Sequence, residues 1–78
     1  MEKFKKGDRV RVCWIDDYTR DVMIHQGIAL PTGRTGTVVE TRFNPNMACY
    51  GEGNEVLVDM DNGSKNVLWC DKNLELIA

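Results

Sequence analysis

Histidine occurs once in this chain, at His25, proline only at Pro31 and Pro45, and aromatic residues make up 8% of its 78 positions. The single histidine narrows metal chemistry at once. A zinc site would have to join His25 to Cys13, Cys49 and Cys70 from four separate segments, and these cysteines lack the close pairs of a zinc knuckle or a disulfide framework. No metal and no cofactor are therefore expected, and the three thiols are expected to be free. No apolar run is long enough to cross a bilayer, and no basic start leads into an apolar stretch with a small-residue cleavage site. A cytoplasmic location without a membrane partner is the corresponding expectation. A strong positive charge is missing too. Ten Lys and Arg stand against twelve Asp and Glu, a net charge of −2, far from the basic footprint of a dedicated nucleic-acid binder.

What charge there is lies unevenly. Residues 1–12 carry Lys3, Lys5, Lys6, Arg9 and Arg11 against Glu2 and Asp8, whereas residues 52–75 carry six carboxylates against Lys65 and Lys72. Such polarity can steer a partner or pair subunits head to tail. The length suits one compact unit over residues 1–78, with a core only just sufficient, so that self-association or a partner would add stability.

The stretch from Thr32 to Thr41 organises the chain. Gly33 and Gly36 supply permissive backbone corners, and the Thr/Val run after them favours an extended segment, which is expected to continue through Val38 and Val39 towards Phe43 and to end at Asn44-Pro45-Asn46. Before it, Lys5-Lys6-Gly7-Asp8 reads as a turn. Arg9-Val10-Arg11-Val12-Cys13-Trp14 then alternates polar and apolar residues, placing Val10, Val12 and Trp14 on the core face. Residues 16–33 break the pattern. Asp16 or Asp17 suits the cap of a helical turn, while Val22 and Ile24 equally suit an extended arm, and the alternatives stay open.

Residues 47–54 read as a second loop, and Glu55–Met60 as a third strand with Val56, Val58 and Met60 inward. Asn62-Gly63 predicts a tight hairpin, from which Lys65–Trp69 returns as a fourth strand. Asp71-Lys72-Asn73 reads as a short helical turn, and residues 74–77 as a fifth strand. The fold class is thus all-β: a single five-stranded SH3-like barrel with a long first loop and a short helical turn before the last strand.

The segments KKGDRVRV, GRTGTVVE, VLVDMDNG and NLELI resemble the small barrels of KOW-type modules found in bacterial and phage proteins. That resemblance implies that Gly36 is the glycine at the turn into the second strand and Val38 a core position after it. Residues 16–31 and 44–54 fall outside the resemblance. The outline is also similar to the type II dihydrofolate reductases, whose ligand-contacting strand carries Val-Gln-Ile-Tyr; the strand here reads Val67-Leu68-Trp69-Cys70, without the glutamine or the tyrosine. It further resembles the ferredoxin–thioredoxin reductase variable subunit and a photosystem accessory subunit, both non-catalytic partners of larger assemblies. The fold hosts many unrelated activities, so the site must decide between them.

Catalysis is not expected. His25 has no nucleophile and orienting group at a motif spacing, and Gly33-x-x-Gly36 lacks the lysine and helix of a phosphate loop. A protein partner is the first expectation, contacted by Tyr18, His25, Met47, Tyr50 and Trp69, which lie in or beside the two long loops. Nucleic acid is the alternative: Arg9, Arg11, Arg34 and Arg42 would bind phosphates while Trp14 or Tyr18 stacks a base. The competing reading makes Trp14 a core residue and Arg9 and Arg11 the protective charges of an edge strand. A homo-oligomer that captures a small ligand with the loop residues is a third reading.

Overall fold

Val10 and Val12 point inward and Arg9 and Arg11 outward, as their alternation requires, in strand β1 (Arg9–Val12). The computed structural model describes residues 4–43 and 54–77. After β1 come helix α1 (Asp17–His25), β2 (Thr35–Phe43), β3 (Asn54–Met60), β4 (Val67–Cys70), a 3₁₀ turn at Asp71–Asn73 and β5 (Leu74–Leu76). The strands form one antiparallel sheet in the order β4-β3-β2-β1-β5, the small all-β, SH3-like barrel anticipated from the strand pattern. Position 44 onward, where Asn-Pro-Asn was expected to end β2, and the second loop up to residue 53 lie outside the described residues.

The core consists of Phe4, Val10, Val12, Val38, Val56, Val58, Met60 and Leu74, with Ile15, Val67 and Trp69 packed against it. Each such side chain contributes about 1.5–3 kcal/mol when fully buried. In β2 the inward positions change parity at a bulge between Val38 and Glu40. Gly36 and Val38 face the core before it, and Thr41, opposite Val56, does so after it. The extra residue keeps the charge of Glu40 in solvent and bends the strand around the core.

Five expectations need correction. β1 stops at Val12 rather than Trp14, because the Cys13 and Trp14 N–H groups donate to the Asn73 carbonyl (2.8 and 3.4 Å) and leave the ladder. Trp14 is only half-buried, its ring capped by the Lys72 ammonium 4.7 Å from the centroid. The tight Asn62-Gly63 hairpin is replaced by a longer connection: Asn62 Oδ1 accepts from the Ser64 N–H (3.0 Å), Gly63 alone of the pair takes a positive φ of 98°, and Asn66 makes a second corner at φ 51°. As a result β4 begins at Val67, opposite Val58, instead of at Lys65. Finally, β1 is no edge strand, since β2 and β5 flank it and the edges are β4 and β5.

Gly36 lies inside β2 rather than in a turn. A Cβ there would sit 2.5 Å from Val58 Cγ1 and 2.7 Å from the Asp59 carbonyl oxygen, so β3 approaches β2 closer than any side chain allows.

Candidate functional site

The open question over residues 16–33 resolves as a helix because Asp16 caps it. Its carboxylate accepts from the Thr19 N–H (3.0 Å) and from Thr19 Oγ1 (2.6 Å), and these bonds hold the Asp16 carboxyl below the usual range. At the other end the Ile28 N–H reaches back to the Met23 carbonyl (2.9 Å). None of the residues of α1 is buried. Thr19 and Met23, one turn apart, look towards β4, and together with Tyr18, Pro31 and Trp69 they line a concavity of about 330 Å³. Tyr18, Val22 and His25 share the next face of the helix and, with Asp21 and Gln26, line a shallow groove of about 430 Å³. Tyr18 therefore stands between two depressions and is 77% exposed.

Of the five loop residues expected to contact a protein, the structure brings together three. Tyr18 and Trp69 border the first concavity, Tyr18 and His25 the second. Met47 and Tyr50 lie outside the described residues. Trp69 faces Val56 across the ladder and is half-buried, and its indole Nε1 is shielded from solvent without a hydrogen-bond partner among the described residues. Ile15, Met23 and Pro31 complete the apolar wall; sequence reasoning missed them, and the signal was their place in, or just before, the first of the two long loops.

The arginines are engaged differently. Arg9 donates to both carboxylate oxygens of Asp61 (2.8 and 2.6 Å) and to Thr37 Oγ1 (2.9 Å). Arg11 binds its cross-strand neighbour Glu75 (2.7 Å from Nε), and Arg42 its neighbour Glu55 (2.5 Å from Nε). Arg34, exposed beside Asp61 and Asn62, has no carboxylate partner among the described residues. Three of the four candidate phosphate ligands are thus neutralised within the barrel. Among the described residues no cluster of three metal-ligating side chains forms, and no helix is long and apolar enough to cross a membrane. Cys13 is an exposed free thiol, but Cys70 is disulfide-bonded, which corrects the expectation of three free thiols.

The Arg9–Asp61 pair has a pH signature. Bonds from Arg9 and then from Thr35 Oγ1 hold the Asp61 carboxyl well below its ordinary range. A carboxyl depressed in the folded state stabilises the fold fully above the unfolded carboxylate pKa of about 3.9, and that contribution is lost as pH falls below it. Both side chains are about half exposed, so the effect is moderate and weakens with salt. Urea midpoints taken from pH 7 down to pH 2 should show a shallower acid loss in Asp61→Asn than in the parent chain. Parallel curves would show that the pair contributes nothing.

These features define a small all-β barrel with an SH3-like strand order, whose distinguishing addition is a capped, unburied helix in the first loop. No protein-family model matches the sequence, and no curated protein matches it either. Among solved structures, the solution structure of the cyanobacterial cytochrome b6f complex subunit PetP is similar, with a TM-score of 0.65 over all of this chain and 90% of that one, at 23% sequence identity. The likeness is one of fold, and that neighbour is a subunit of a protein complex.

Proposed function

We propose that the chain is a non-catalytic binding module, an accessory protein that attaches to a larger protein assembly through α1 and the concavity between α1 and β4. One observation carries this reading: a well-capped helix, none of whose residues is buried, holds Tyr18, Val22 and Ile24 in solvent beside an apolar hollow. A helix that fully buries none of its residues adds little to the core, whereas exposed aromatic and aliphatic side chains beside a hollow are what an interface core is made of. The structural neighbour's membership of the cytochrome b6f complex supports an accessory role and makes an electron-transfer complex one candidate host. Binding of nucleic acid is less well supported, because Arg9, Arg11 and Arg42 already face carboxylates.

The reading is tested by placing a photo-crosslinking amino acid at Tyr18, at Val22 or, as a control in the β3–β4 connection, at Asn62, and irradiating cells of the source organism. A discrete adduct with the same protein from positions 18 and 22 and none from 62 is the expected result. Adducts at 62 alone, or crosslinks only to nucleic acid, would overturn it.

A further inference from the structure

Charge on the barrel is balanced locally. Asp61, Glu75, Glu55 and Asp59 each face a cation, Arg9, Arg11, Arg42 and Lys65 respectively. On α1 the balance fails. Asp21 has no cationic partner among the described residues, and Asp17 meets only Arg20 of its own helix, at 3.5 Å with the aspartate side chain 91% exposed. Helical spacing puts Asp21 on the strip beside the Tyr18–Val22–His25 row, Asp17 next beyond it, and Arg20 past Asp17, its partner, away from that row. The shallow groove of about 430 Å³ along this row therefore sets the Tyr18 ring and Val22 beside one acid that has no cationic partner among the described residues, Asp21, with His25 and Gln26 closing its end.

Resting on the protein-binding reading above, we infer that this groove takes a cationic, apolar segment of a partner protein, one that seats an aliphatic side chain between Tyr18 and Val22 while a lysine or arginine beside it reaches Asp21. Charge complementarity selects this occupant. An anionic lipid surface or a nucleic-acid backbone would be repelled by the same carboxylate, and an acidic segment would leave Asp21 facing like charge. The groove is separate from the concavity between α1 and β4, which has the capping carboxylate of Asp16 on its wall but no unpaired acid facing outward.

Two short peptides of equal length and leucine content, one bearing lysine and arginine and the other glutamate, supply the test by titration into the isotopically labelled chain. The basic peptide should shift amide signals of residues 17–26, with a dissociation constant that rises with salt; the acidic peptide should not. Asp21→Lys should weaken the basic peptide about fivefold, through lost attraction and added repulsion, and improve binding of the acidic one. Asp21→Asn should lie between, and the spectra themselves report that each variant is folded. Equal shifts with both peptides, shifts centred on Arg34 or β1, or no shifts at all would overturn the inference. Crosslinks from Tyr18 and Val22 in cells, which do not depend on charge, would then leave the broader protein-binding reading standing.

Discussion

Replacing Gly36 with alanine should cost the fold about 2–3 kcal/mol, near the upper end for a single added methyl in a packed interior. The reason is what the methyl meets. Val58 Cγ1, 2.5 Å from the position of the new Cβ, belongs to a fully buried side chain, and the Asp59 carbonyl oxygen at 2.7 Å and Met60 Cα at 3.1 Å are backbone. Relief requires β2 and β3 to separate along the register in which Gly36 faces Met60. β2 is held on its other side by β1, where Gly36 faces Val10, so the displacement cannot be absorbed at an edge. A chain of this length has a total stability of roughly 4–12 kcal/mol, and the loss would take away a large part of it. Urea unfolding followed by tryptophan fluorescence measures the change. A loss below about 0.5 kcal/mol would mean that β3 shifts freely and that the close approach is not a constraint.

How much of this was legible in the sequence divides by the range of the interaction. β1, β3 and β5 and the inward residues Val10, Val12, Val56, Val58 and Met60 follow from period-two alternation, which is local. Helix α1 was undecided because Val22, Met23 and Ile24 form a short apolar run that fits strand or helix. The Asp16–Thr19 cap settles it, and Asp16 had been one of two candidates. The hairpin was misjudged because Asn62 uses its side chain on the Ser64 N–H instead of entering the positive-φ region that a two-residue turn demands. For the candidate site the missing information was topological. Tyr18 and Trp69 are far apart in the chain, and their meeting at one concavity depends on α1 folding back towards β4. The arginines look like a phosphate patch in sequence because their partners, Glu75 on β5, Glu55 on β3 and Asp61 in the turn after β3, are placed by a strand register that no local pattern reveals.

Asn73→Ala is expected to destabilise the fold by about 2–4 kcal/mol, because one side chain holds two orphaned backbone groups. Its Oδ1 accepts from the Cys70 N–H (2.9 Å) as β4 ends, and its Nδ2 donates to the Trp14 carbonyl (2.9 Å) as the chain leaves β1. Each group left unsatisfied in a part-buried position costs about 1–3 kcal/mol. Asn73→Asp separates the two bonds. The introduced carboxylate still accepts from Cys70 but opposes the Trp14 carbonyl oxygen, so its pKa should rise in the folded state. A raised carboxyl pKa means stability that is present at low pH, when the protonated group donates to Trp14, and lost as pH rises through the folded value. This variant should therefore recover stability on mild acidification, the reverse of the trend assigned to Asp61, and a small loss in Asn73→Asp that does not change with pH would show that the Trp14 bond carries no weight. The consequence reaches the candidate site. Trp14 leads through Ile15 into the Asp16 cap, so the Asn73 amide ties the start of α1 to the end of β4, and both ends line the hollow between them. Loosening that tie should widen the hollow, and Asn73→Ala should lose crosslinking at Tyr18 at temperatures where the barrel itself remains folded.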